Sequence, residues 1–162
     1  MIDNCFDFYP PRFIDISPET VDGCNSCKKP YIISLSGLSL DDNMQMLEKA
    51  YQVQGVSAIE LNLACPNVPG KPVIAYDFDQ MEEVHSEVTK SPHFGKKPLG
   101  VKLAPYFDMP HFERAAKIIA KYPIRFVVSI NTIGNALFVD AETECASISP
   151  KGSNNIADLF IF

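Results

Sequence analysis

The chain has 162 residues, with 20 acidic against 14 basic side chains and a formal net charge of -6. Hydrophobic residues make up 46% and charged residues 21%, an ordinary composition for a globular protein. The acidic balance and the absence of a basic stripe argue against a nucleic-acid partner. No apolar run approaches the roughly 20 residues that cross a bilayer, and residues 1–4 lack the basic start of a signal peptide. We therefore expect a cytoplasmic protein with no membrane partner.

The cysteines are expected to be free thiols, because they are odd in number and no export signal precedes them. They are Cys5, Cys24, Cys27, Cys65 and Cys145. Cys24 and Cys27 have a spacing seen in zinc sites, but such a site needs two more ligands and the histidines lie far away in sequence. We interpret this pair as part of a polar surface loop and expect no metal site.

The order of segments predicts a chain in which strands and helices alternate. Apolar stretches rich in branched residues are separated by segments of helical periodicity, a pattern typical of a parallel sheet with crossover helices. The predicted strands are residues 31–36, 58–63, 99–103 and 126–130, followed by a short hairpin of residues 136–140 and 144–149.

Three helices are predicted between these strands. Ser39 can cap the first helix, Asp77 opens the second, and Asp108 with Pro110 starts the third. Pro110 fits the first turn of the third helix, where its missing N–H costs nothing. Apolar residues at helical spacing give each helix one buried face, and they are Leu40, Met44, Leu47 and Ala50, then Phe78, Met81, Val84 and Val88, then Ala115, Ile118 and Ile119.

The fold class that follows is α/β, with about four β/α units and a short hairpin. A closed (β/α)8 TIM barrel takes eight such units and about 250 residues. The sheet is therefore either open or a partial barrel that belongs to something larger. No internal repeat or linker divides residues 1–162, which we interpret as a single domain.

Polar side chains collect where the predicted strands end. In α/β folds these carboxyl ends are where functional groups gather. A lysine within an apolar strand is expected to be buried, which is costly unless it meets an anion or an electron-rich ring. An asparagine there offers both a donor and an acceptor to a planar ligand. The residues concerned are Asn62, Cys65 and Asn67, then Lys102, then Asn131 and Thr132.

These residues lie in blocks that resemble the family 1A dihydroorotate dehydrogenases, the flavin-dependent, cytosolic enzymes of pyrimidine synthesis. The most specific block is Cys-Pro-Asn-Val-Pro-Gly-Lys-Pro at residues 65–72, followed by Tyr-Asp-Phe at residues 76–78. Further blocks in the same order are residues 4–9, 34–39, 102–108 and 128–135. The resemblance implies a TIM barrel that oxidises dihydroorotate to orotate, with FMN as cofactor and fumarate as final acceptor, in a homodimer.

The resemblance also implies a role for each residue. Cys65 is similar to the general base that takes a proton from dihydroorotate, a task thiols can perform once a site lowers their pKa from about 8.5. Lys102 resembles the lysine beside the flavin ring, and Ile130 a backbone contact to the cofactor. Substrate-binding positions are Asn62, Asn67, Asn131 and Thr132, and Asn62 would also contact FMN.

The resemblance covers residues 4–152 but corresponds to about the middle half of a whole barrel. We therefore expect a fragment, with a divergent tail at residues 153–162. An inactive remnant that binds no flavin is the alternative. The pyrimidine-reducing domain of dihydropyrimidine dehydrogenase shares the cysteine loop, but residues 68–72 and the following Tyr-Phe-Asp motif at residues 106–108 argue against it.

Overall fold

The computed structural model describes residues 30–65, 72–131 and 142–143. Within these ranges four strands form one parallel sheet in the order β1-β2-β3-β4. The strands are β1 (Tyr31–Leu35), β2 (Val56–Asn62), β3 (Leu99–Leu103) and β4 (Phe126–Ser129). The helices are α1 (Leu40–Gln52), α2 (Phe78–Lys90) and α3 (Met109–Ile119), with a 3₁₀ helix at Ile74–Tyr76. The predicted hairpin and the tail lie outside the described residues.

All three helices begin at the predicted capping residue. The side chains of Ser39, Asp77 and Asp108 accept hydrogen bonds from the backbone N–H three residues later, at 2.9–3.1 Å. These bonds satisfy donors that have no partner within the helix. Each helix therefore starts next to the loop that leaves the preceding strand.

The core lies between one face of the sheet and the helices. Side chains at alternate strand positions fill it, as the period of two along a strand requires. From the sheet these include Ile33, Leu35, Ile59, Leu61, Leu99 and Val101, and from the helices Leu47, Ala50, Met81, Val84, Val88, Ala115 and Ile118. The opposite face of the sheet carries Ser34, Glu60, Asn62 and Lys102, together with Phe126 and Val128.

The structure confirms the predicted alternation of strands and helices and corrects some boundaries. β2 begins at Val56 and ends at Asn62, where residues 58–63 were predicted. β1 and β4 each end one residue earlier than predicted. The 3₁₀ helix was not predicted, because three residues leave no periodicity in a sequence. In the part of the chain that the structure describes, no helix combines the length and apolar character needed to cross a membrane.

Candidate active site at the carboxyl ends of the strands

The parallel register places the predicted site residues of neighbouring strands side by side. Asn62, the last residue of β2, is the partner of Lys102 in β3, which in turn is the partner of Val128 in β4. Paired residues of a parallel sheet point to the same face, so Asn62 and Lys102 share the face opposite the helices. Ile130 and Asn131 follow directly at the end of β4. Three strand ends therefore contribute to one edge of the sheet.

Asn62 and Asn131 are joined directly by their side chains. Asn131 Nδ2 donates to Asn62 Oδ1 at 3.0 Å and to the Ala64 carbonyl at 2.8 Å. Asn62 Oδ1 also accepts the Ala64 N–H at 3.1 Å. Both asparagines are buried, with 5% and 7% of their surface exposed. Amides separated by almost seventy residues of sequence thus form one buried network, which fixes their orientation.

Cys65 follows the backbone segment that this network holds. Leu63 N–H donates to the Lys102 carbonyl at 3.2 Å and continues the β2–β3 ladder past Asn62. Asn131 N–H donates to the Leu103 carbonyl at 2.8 Å and does the same for β3 and β4. Cys65 is a half-buried thiol directly beyond these bonds. The cysteine is therefore held at the strand-end edge that carries Asn62, Asn131 and Lys102.

Lys102 is half-buried rather than fully buried as the sequence suggested. Its position within β3 accounts for this, because the site face carries none of the helices of the described residues. Ile130 exposes 36% of its surface beyond β4. The ammonium group and the amide can donate hydrogen bonds to the polar rim of a planar ring, and an exposed apolar side chain lies on the same edge. The chemistry of Lys102, Asn62 and Ile130 is therefore compatible with the flavin ring that the resemblance predicts here.

Two predicted site residues, Asn67 and Thr132, lie outside the described residues, as do Cys24 and Cys27. Their roles stay predictions. Among the residues that the structure does describe, no group of three or more His, Cys, Asp or Glu side chains could hold a metal ion.

Sequence reasoning missed Glu60, which lies on the site face two residues before Asn62. Glu60 is buried, with 8% of the residue exposed, and its carboxylate accepts a hydrogen bond from Ser34 Oγ at 2.6 Å. Ser34 and Glu60 are register partners in β1 and β2. The sequence did contain a signal for this position. Side chains two positions apart in a strand lie on the same face of the sheet, so Glu60 could have been predicted to share the face of Asn62.

Comparison with known proteins shows the family of this chain. The family model described as dihydroorotate dehydrogenase matches residues 16–153, which is most of the chain. The chain belongs to the dihydroorotate dehydrogenase family. The parallel sheet with alternating helices agrees with the partial TIM barrel expected from the sequence. The segment that bears Asn62, Cys65, Lys102 and Asn131 falls within the matched range.

Similar dihydroorotate dehydrogenases occur in yeasts and in a bacterium. The Saccharomyces cerevisiae protein named dihydroorotate dehydrogenase (fumarate) is 50% identical over 118 residues, 73% of this chain and 37% of its own length. The Lachancea kluyveri protein of the same name is 46% identical over 146 residues, 90% of this chain and 44% of its own length. Dihydroorotate dehydrogenase A (fumarate) of Lactococcus lactis subsp. cremoris is 42% identical over 157 residues, 96% of this chain and 48% of its own length. The chain spans less than half the length of these curated relatives.

Proposed function

We propose that this chain carries the catalytic residues of a dihydroorotate dehydrogenase that oxidises dihydroorotate to orotate, in the synthesis of pyrimidine nucleotides. The observation that supports the proposal is the network at the strand ends. Asn131 bonds both Asn62 and the backbone next to Cys65, in a chain of this family. The substrate is small, planar and polar at its rim, and it suits a site built from amides, a thiol and a lysine.

Cys65 is the general base in this proposal. The thiolate takes the proton from carbon 5 of dihydroorotate while hydride leaves carbon 6. For this step the sulfur must lie within hydrogen-bond reach of that proton, so the placement of the backbone at residues 63–65 decides the rate. The hydrogen bonds from Asn131 to Ala64 and from Leu63 to Lys102 hold the backbone before Cys65, which supports the proposal.

The amides orient the substrate ring. Asn62 and Asn131 present donors and acceptors at the edge next to Cys65, and their mutual bond restricts both side chains. Asn67 and Thr132 complete the set of substrate-binding residues in the proposal. A preorganised set of this kind binds the ring without ordering loose side chains at each turnover.

FMN is the proposed cofactor, and it supplies the hydride acceptor when it is bound. Lys102, Asn62 and Ile130 would hold its ring. The Lys102 ammonium is suited to stabilise negative charge that develops on a reduced ring, because a fixed charge in a half-buried position is weakly screened.

Fumarate is the proposed final acceptor, because the names of the relatives contain it. We further propose a cytoplasmic homodimer. Both statements go with the family 1A resemblance, and neither depends on the geometry of the strand ends.

The exchange of Cys65 for alanine tests the proposed chemistry. Cys65→Ala should lower dihydroorotate oxidation by about 10²–10⁴-fold, because it removes the base and leaves the amides in place. Flavin binding should be unchanged. The measurement is orotate formation with fumarate as acceptor, together with the flavin content after desalting.

Cys24→Ala is the matched control, because it also removes one thiol, from a position to which the resemblance gives no role. It should retain the turnover of the unmodified chain. Near-normal turnover by Cys65→Ala would show that Cys65 is not the base.

A further inference from the structure

A second set of hydrogen bonds reaches the backbone before Cys65. The Leu63 carbonyl accepts the Ala75 N–H at 2.9 Å. The carbonyl of Ala75 in turn accepts the hydroxyl of Tyr106 at 2.7 Å. Tyr106 belongs to the loop between β3 and α3. The residues next to Cys65 are thus tied to this loop through the 3₁₀ helix Ile74–Tyr76.

Tyr76 makes the reciprocal bond. Its hydroxyl donates to the Pro105 carbonyl at 2.8 Å, while the hydroxyl of Tyr106 donates to the carbonyl of Ala75. Each tyrosine therefore bonds the carbonyl of the residue that precedes the other tyrosine. The two rings meet edge to face, with centroids 6.0 Å apart. These two hydrogen bonds join the 3₁₀ helix to the loop between β3 and α3. We call this contact the tyrosine clasp (Tyr76 and Tyr106).

Tyr106 is held firmly enough to act as a fixed donor. Its ring is only 7% exposed and contacts Phe78 at 6.0 Å and Phe112 at 5.5 Å between centroids. The pKa of Tyr106 is raised to about 12, mainly by burial and to a smaller extent by the neighbouring Tyr76. The phenol therefore keeps its proton, and its bond to Ala75, throughout the neutral pH range.

We propose that Tyr106 is a positioning residue for Cys65, and that its hydroxyl sets the backbone at Leu63 through Ala75. The inference rests on the proposed function only in taking Cys65 as the base. Asn131 holds the same segment at Ala64, so the backbone on the way to Cys65 is fixed at two consecutive residues. Loss of either bond shifts the sulfur relative to the substrate proton, and shifts of this kind are costly in rate.

The hydroxyl can be separated from the ring by exchange of Tyr106 for phenylalanine. Tyr106→Phe keeps the aromatic contacts and removes only the donor to Ala75. Tyr122→Phe is the matched control, since its hydroxyl makes a long 3.4 Å bond to the Glu82 carbonyl and lies away from the strand ends. Tyr76→Phe removes the other half of the clasp and should give a weaker effect of the same kind.

Two readouts apply to the 162-residue chain. In orotate formation, Tyr106→Phe should lower kcat by about tenfold with KM within about twofold, because the substrate amides are untouched. In alkylation by iodoacetamide, followed by peptide mass analysis at Cys65, Tyr106→Phe should change the rate at least about threefold, because sulfur access follows its placement. Tyr122→Phe should leave both values as they are in the unmodified chain.

Unchanged kcat and unchanged Cys65 alkylation in Tyr106→Phe would overturn the proposal. So would a fall in kcat that matches only the fraction of unfolded chain measured by thermal denaturation. The alkylation readout needs neither flavin nor substrate. Absence of turnover in the unmodified chain would count against the proposed function, while the alkylation rates would still decide the role of Tyr106.

Discussion

Asn131 shows how one side chain can organise a site from two strand ends. Its amide donates both to a side chain and to a backbone carbonyl, and both acceptors are buried. A backbone carbonyl has no freedom to turn away, so the amide plane of Asn131 is fixed along with that of Asn62. The two asparagine side chains are therefore already oriented in the folded chain, before any substrate binds.

His85 makes the stability of the folded chain depend on pH. The residue is 1% exposed within α2, Nδ1 lies 2.6 Å from the Met81 carbonyl, and among the described residues Nε2 has no hydrogen-bond partner. Burial lowers the pKa of His85, although the Met81 carbonyl and Glu82 act in the opposite direction. Its neutral form is favoured in the folded chain, so the unfolded chain binds more protons as pH falls through about 6.5. Stability from His85 is thus present above that pH and is lost below it.

His85→Phe should therefore flatten the fall in unfolding free energy between about pH 8 and about pH 5. Phenylalanine preserves the ring that packs against Tyr122, at 5.5 Å between centroids, and it does not titrate. Urea denaturation across this range measures the effect. His93→Phe, in the loop before β3, is the control and should keep the slope of the unmodified chain. An equal slope for His85→Phe would contradict this explanation.

The packing of strand β3 against β4 depends on a glycine. Gly100 is the register partner of Phe126, and a Cβ at position 100 would collide with the Phe126 ring. Both residues lie on the site face, two positions before Lys102 and Val128. The aromatic ring thus occupies the space that any other side chain at position 100 would fill.

Gly100→Ala should lower the free energy of unfolding by about 1–3 kcal/mol, because the ring or the strand must shift. The measurement is chemical denaturation in a double-mutant cycle with Phe126→Ala. In the Phe126→Ala background the same glycine exchange should cost much less. An equal cost in both backgrounds would show that the ring is not the obstacle.

The elements also show what sequence can predict. Helix starts at Ser39, Asp77 and Asp108 were predictable, because a capping bond spans only three residues. The tyrosine clasp was not, since it joins residues about thirty positions apart that meet only after the sheet has formed. The contact between Ser34 and Glu60 could not be predicted either, because it depends on the register of β1 and β2.

At the scale of the whole molecule, the parallel order of the sheet explains why the candidate site could be anticipated. Alternation of strands and helices places successive carboxyl ends at one edge, so Asn62, Lys102 and Asn131 were expected to meet. Their partners could not be anticipated, because hydrogen bonds such as Asn131 to Ala64 depend on loop geometry. The roles of all the site residues, Asn67 and Thr132 among them, stay predictions from the resemblance.

We propose that these strand ends bind a flavin, which dihydroorotate then reduces. This proposal is tested most directly by the visible spectrum of the 162-residue chain after incubation with FMN, desalting and anaerobic addition of dihydroorotate. We expect a retained flavin band that bleaches, with Lys102→Ala lowering retention or shifting the band. A chain that retains no flavin, or a retained band that dihydroorotate leaves unchanged, would contradict the claim and favour an inactive member of the family.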